Sequence, residues 1–90
     1  MSDFRKHLER SLQDPEFRDE WDARAAERMV AQQIVEARMN EGLSQQELAK
    51  RCDMKPANLC RLEGGNGNPS VSTLDRIAHG LGRTLKISFV

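Results

Sequence analysis

The 90-residue chain has none of the usual apparatus of catalysis. It holds no Ser/His/Asp set, no paired carboxylates at working distance and no glycine-rich phosphate loop. His7 and His79 are single histidines far apart in sequence, read as surface residues. Cys52 and Cys60 lack the CxxC or Cys/His spacing that holds zinc. No enzyme, no metal and no cofactor is therefore expected. Cys52 reads as a small apolar core residue, and Cys60 as facing a groove or the solvent. Unpaired thiols fit a reducing compartment. There is no signal peptide and no apolar run long enough to cross a bilayer, so a cytoplasmic protein without a membrane partner is expected. Repeats and low-complexity stretches are absent too. So is net charge, with 14 basic against 14 acidic side chains. That balance argues against a uniformly basic nucleic-acid binder.

The balance hides a polarity. Residues 1–41 hold seven basic and ten acidic side chains, and residues 42–90 hold seven and four. One half is acidic and the other basic, which suggests two different partners.

The most informative stretch is Ser44 to Gly65, SQQELAKRCDMKPANLCRLEGG. Ser44 followed by Glu47 has the spacing of a capping box. Leu48, Cys52 and Met54 fall on the inner side of a first short helix and its turn. Ala49 is small enough for a second helix to approach closely. Asp53 stands in the turn, where φ > 0 is expected. Pro56 suits the first turn of the second helix, where its missing N–H costs nothing. Leu59 and Leu62 face back to the core. Two short helices joined by a sharp turn make a helix-turn-helix, whose second helix enters the DNA major groove.

With Leu59 and Leu62 inward, the outer face of that helix carries Lys55, Ala57, Asn58 and Arg61. Arginine can pair bidentately with guanine and asparagine with adenine, and an alanine methyl can meet that of thymine. Gln45, opening the first helix, suits a DNA phosphate. Asn66, Gly67 and Asn68 either offer backbone N–H groups to a phosphate or only turn the chain. A polar helix face is commonly just solvated; the motif around these residues favours DNA contact. Glu63 is expected to be exposed, in a structural role, pairing with Arg38 or Arg61.

The pattern resembles the lambda-repressor-like (XRE) family. The matches are Leu43-Ser44-Gln45, Glu47-Leu48-Ala49, Arg61-Leu62-Glu63 and Asn68-Pro69-Ser70, then Leu74, Ile77, Ala78, Leu81 and Gly82. They span roughly residues 28 to 82. Two positions depart from the family: Asp53 replaces its usual glycine, and Lys55 replaces the Ser or Thr that normally caps the recognition helix. The resemblance implies a mainly α, five-helix-type domain. It also implies that the residue at Gln45 contacts the DNA backbone and that those at Ala57 and Arg61 read bases.

On the N-terminal side, Phe4, Leu8 and Leu12 form one stripe of a short helix. Asp14-Pro15-Glu16 stops it and starts another. The second helix carries Phe17, Trp21 and Ala25 on one stripe. No glycine or proline interrupts residues 16–41, so it either runs unbroken to Gly42 or bends near residues 23–26. On the C-terminal side, residues 64–69 read as a loop and Ser70 caps a helix ending near Gly82. Gly80 inside that helix costs roughly 1 kcal/mol relative to alanine. Leu85, Ile87 and Phe89 then alternate with Lys86 and Ser88, the pattern of a half-buried strand.

Residues 1–26 are thus expected to be a helical extension, 27–83 the helix-turn-helix domain and 84–90 a C-terminal β-strand. The strand would pair with the same segment of a second chain in a homodimer, or with a strand of a protein partner. The whole arrangement resembles the HigA-type antitoxins. That resemblance implies repression of the protein's own operon and neutralisation of a RelE/HigB-like ribonuclease toxin. Phe4, Leu8, Leu12, Phe17 and Trp21 would then be the toxin-binding residues, and Leu85, Ile87 and Phe89 would form the dimer. The alternative is a free-standing repressor whose N-terminal helices serve dimerisation. A third reading, an interaction module without DNA binding, rests on the zero net charge alone.

Overall fold

The computed structural model describes Arg10 and residues 13–90, the side chain of Ala23 excepted. The stripe of Phe4, Leu8 and Leu12 lies outside the described residues. Five helices follow: α1 (Pro15–Ala23), α2 (Ala25–Asn40), α3 (Gln45–Arg51), α4 (Pro56–Glu63) and α5 (Val71–Gly80).

Helix α1 starts as its sequence demands. The Asp14 carboxylate accepts from the Glu16 N–H at 3.0 Å, and Pro15 takes the first position. The chain then breaks at Arg24, with φ −99° and ψ 7°, so residues 16–41 form two helices rather than one. The break frees the Trp21 carbonyl. That oxygen accepts from the Arg24 N–H at 3.2 Å and from Arg28 Nη1 at 2.6 Å. A long side chain from the next helix thus satisfies what the break would leave unpaired.

From α2 onward the helices end alike. Gly42, Asp53, Gly65 and Gly82 each have positive φ, and a backbone N–H one residue later reaches back across the last turn. At Asp53, φ is 55°, and the Met54 N–H bonds to the Ala49 carbonyl at 2.9 Å. Aspartate tolerates this region better than most residues, so the sharp turn survives without glycine. The starts are as regular. Ser44 Oγ and Glu47 bond each other's backbone N–H groups at 3.1 Å, and Ser70 Oγ accepts from Thr73 N–H at 3.1 Å. Lys55 caps α4 with extended backbone but no side-chain bond.

The core is one cluster: Ile34, Leu43, Leu48, Ala49, Cys52, Leu59, Ile77 and Leu81. Leu48, Ala49 and Leu59 are wholly inaccessible, which fixes α3 and α4 against each other. Gly80 explains itself here. A Cβ on it would stand 2.6 Å from Cys52 Sγ and 3.4 Å from Leu48 Cδ1. The glycine allows α5 to close onto α3, and its low helix propensity is the cost of that approach.

The C-terminal strand is not formed. Residues 83–90 carry no regular structure, and no strand occurs among the described residues. Leu85 is half-buried, but Ile87 and Phe89 are exposed. A strand needs a neighbour for its backbone groups, and the described part of this chain offers none.

Candidate nucleic-acid interface

The interface is built on a polar hub behind α4. Arg38, from α2, donates through Nε to Glu63 Oε2 at 2.8 Å and through Nη2 to Oε1 at 3.0 Å. Its Nη1 donates to the Leu43 carbonyl at 2.8 Å, and Gln45 Nε2 donates to Glu63 Oε1 at 3.0 Å. Glu63 is therefore not exposed: its side chain retains 5% of its accessible surface and that of Arg38 16%. It ends the recognition helix, where spacing alone points outward, but α2 and α3 close over it. The bonds from Glu63 hold the Arg38 guanidinium above its ordinary pKa, against the opposing effect of burial. The arrangement ties three helices at one point, and it sets the pose of α4.

That pose exposes the residues expected to meet DNA. Lys55, Ala57, Asn58 and Arg61 are all exposed, while Leu59 is inward and Leu62 half-buried. Lys55, Asn58 and Arg61 line an open groove of about 530 Å³ between α4 and α5, and Asn68 lies on its floor. Ala57 lies outside this groove on the same exposed helix. Gln45 is half-buried, with its amide N–H on Glu63 rather than free. Asn66 lies elsewhere. It lines a second groove, of about 280 Å³, with Gly64, Gly65, Phe17, Trp21 and Arg28. The loop after α4 is thus a common wall: its first residues face the second groove, and Gly67 and Asn68 face the first.

Two groove residues escaped the sequence reading. Thr73 and Arg76 project from α5 into the first groove. Their i, i+3 spacing puts both on one helix face, a signal that was available. The core stripe of the same helix, Leu74, Ile77 and Ala78, is the stronger pattern and masks it.

In the second groove, Phe17 and Trp21 are half-buried and stacked, with ring centroids 6.2 Å apart and planes 22° apart. The Arg28 guanidinium lies 3.6 Å from the Trp21 ring centroid, a cation–π contact. Of the residues expected to dimerise, Leu85 is half-buried, and Ile87 and Phe89 are 56% and 100% exposed. Cys52 is buried and Cys60 exposed; burial pushes the Cys52 thiol pKa up, and nearby Arg76 opposes it.

Comparison with known families gives a match to the helix-turn-helix family over residues 34–87, more than half of the chain. The chain belongs to this XRE-like helix-turn-helix family. No curated protein and no solved structure matches it. The matched region runs from the middle of α2 into the C-terminal segment, so α1 lies outside the family domain. The family is one of DNA-binding regulatory domains and is not typically enzymatic. No described helix is long and apolar enough to cross a membrane, and no described group of His, Cys, Asp and Glu could hold a metal ion.

Proposed function

We propose that this chain is a DNA-binding antitoxin. In this reading residues 27–83 bind the operator of its own operon as a repressor. Ala57, Asn58 and Arg61 meet base edges; Gln45, Lys55 and Asn68 meet the backbone, and Asn66, which lies on the other side of the loop, would reach a phosphate only past the recognition groove. Residues 1–26 neutralise a RelE/HigB-like ribonuclease toxin through Phe4, Leu8, Leu12, Phe17 and Trp21. Residues 84–90 hold a homodimer by antiparallel pairing through Leu85, Ile87 and Phe89. Such a dimer would carry two recognition helices to half-sites roughly 34 Å, or a multiple of that, apart.

The observation that carries the DNA part is the exposed α4 face beside a groove lined by Lys55, Arg61 and Arg76. The toxin part rests on α1. This helix stands outside the family domain and keeps an aromatic stack half-open to solvent. Along the sequence, residues 14–22 hold Asp14, Glu16, Asp19, Glu20 and Asp22 against Arg18 alone, although Arg24 and Arg28 share the groove with the stack. An acidic helix with aromatic anchors suits a basic, RNA-cleaving protein. The free-standing repressor remains the second reading, and one contact favours it: Arg28 already clamps Trp21 to the domain.

Phe17→Ala with Trp21→Ala separates them. Each aromatic anchor is worth about 2 kcal/mol or more at an interface. The double variant should lose rescue of cells expressing a cognate RelE/HigB-like toxin, while keeping operator affinity in gel-shift titrations. Full rescue by the double variant rejects the toxin-binding role of α1.

A further inference from the structure

The groove between α4 and α5 has two walls, and only one belongs to the recognition helix. Lys55, Asn58 and Arg61 line it from the α4 side, and Thr73 and Arg76 from the α5 side. Asn68 and Pro69 lie between them. The three cations make no ion pair among the described residues. One carboxylate, Asp53, stands at the edge of the groove. Three unpaired cations against one acid, with amide and hydroxyl groups between, make a channel selective for negative charge with hydrogen-bonding oxygens. The groove is open rather than enclosed, and its α4 wall shares Asn58 and Arg61 with the face proposed to meet base edges. A ligand there must be long, polyanionic and continuous with whatever α4 meets.

We propose that this groove seats one sugar-phosphate strand of the DNA, and that Arg76 grips it from the α5 side. The proposal rests on the DNA-binding reading above and adds a contact outside the helix-turn-helix itself. Arg76 lies in the second turn of α5, away from the helix N-terminus, so its contribution is its own charge and hydrogen bonds, not the helix dipole. Thr73, one turn earlier on the same face, offers a hydroxyl to the same strand. Phosphate contacts carry no sequence information, so Arg76 adds affinity and orientation without choosing the site.

The test uses the full chain and a short random-sequence duplex, titrated by fluorescence anisotropy over a range of salt. Each phosphate neutralised contributes about 0.9 to the slope of log K against log salt. Arg76→Ala should weaken binding and lower that slope by about 0.9. Arg76→Lys should keep the slope, since the charge stays. The ratio of operator to random-duplex affinity should be unchanged in both variants. Thermal unfolding like that of the parent keeps a folding defect from mimicking the result. If the parent binds duplex and Arg76→Ala has parent affinity and slope, the proposal is overturned while the DNA-binding reading stands. If Arg76→Ala instead changes the operator-to-random ratio, Arg76 reads a base and the backbone assignment is wrong. If the parent shows no salt-dependent binding to any duplex, the DNA-binding reading fails first and this inference with it.

Discussion

Removing Glu63 should cost this domain a large share of its stability, although the residue ends an exposed-looking helix. Glu63→Ala takes away an acceptor that holds three side-chain donors: Arg38 Nε, Arg38 Nη2 and Gln45 Nε2. The guanidinium left behind is 16% exposed, too enclosed for water to replace both lost bonds well. Breaking a buried pair by deleting one partner costs about 3–5 kcal/mol. This pair is part-buried, Arg38 keeps its bond to the Leu43 carbonyl and Gln45 is half-exposed, so the loss should sit at or below the lower end, about 2–3 kcal/mol. A chain of this size has about 5–13 kcal/mol of stability in all. Urea unfolding followed by circular dichroism reads the loss directly. With a slope of about 1–3 kcal/mol per molar urea, the midpoint should fall by about 1–3 M. The double substitution Arg38→Met with Glu63→Leu removes the stranded charge as well as the pair, and it should lie much closer to the parent than either single change. An unchanged midpoint for Glu63→Ala, or a double variant that loses the sum of both singles, would refute the claim that the hub is a coupled, part-buried pair.

Three further outcomes follow from particular contacts. Gly80→Ala gains about 1 kcal/mol of helix propensity but forces a methyl against buried Cys52 Sγ, an overpacking worth about 1–3 kcal/mol; thermal melts should show a net loss, and a higher midpoint would mean that α5 shifts freely. The Ser44 backbone N–H, and then its hydroxyl, hold the Glu47 carboxyl below its ordinary pKa. Its share of stability is therefore complete above the ordinary carboxylate range and lost as pH falls through the lowered value; urea midpoints of Glu47→Gln and parent should converge in acid and separate toward neutrality. Deleting residues 84–90 should leave a folded monomer by light scattering and circular dichroism, and a truncated chain that stays dimeric places the dimer contact elsewhere.

Most of the domain was legible because local signals and packing agree. Ser44 with Glu47, Asp14 with Pro15, and Ser70 each name a helix start, and each start is where the caps place it. Asp53 was legible as the left-handed turn because the motif places it between the two helices at a position that needs φ > 0, and its φ is 55°. What was less legible depends on distant partners. The pairing of Glu63 with Arg38 is as the sequence suggests, but not its burial: Glu63 looks exposed on a helical wheel, and the arrival of Arg38 from α2, 25 residues away, helps to cover it. The break at Arg24 falls where the sequence leaves a bend near residues 23–26 open, but no proline or glycine decides between a bend and an unbroken helix; Arg28, reaching back to the Trp21 carbonyl and ring, stabilises the break. The tail alternates like a strand, but alternation states which faces could be buried, not whether a neighbour exists. Arg76 was missed for a related reason: a helix read for its core face, Leu74, Ile77 and Ala78, was not also read for its outer one.

The zero net charge, which first argued against DNA binding, loses its force once the charges have positions. The acidic surplus is concentrated on α1 and its approach, and three cations of the basic half with no ion pair among the described residues, Lys55, Arg61 and Arg76, line the groove between α4 and α5. At physiological ionic strength a charge is felt over about 8 Å, while the molecule measures 41 Å along its long axis. A phosphate entering that groove therefore responds to Lys55, Arg61, Arg76 and the nearby Asp53, not to the chain total. The same screening lets an acidic helix and a cationic groove coexist on one small protein. The loop from Gly64 to Pro69 stands between them, with Asn66 on the aromatic side and Asn68 on the cationic side. Charge summed over a sequence is a statement about solubility and long-range association. Recognition at contact distance is set by which side chains share a wall, and here the two halves of the charge balance lie on different walls.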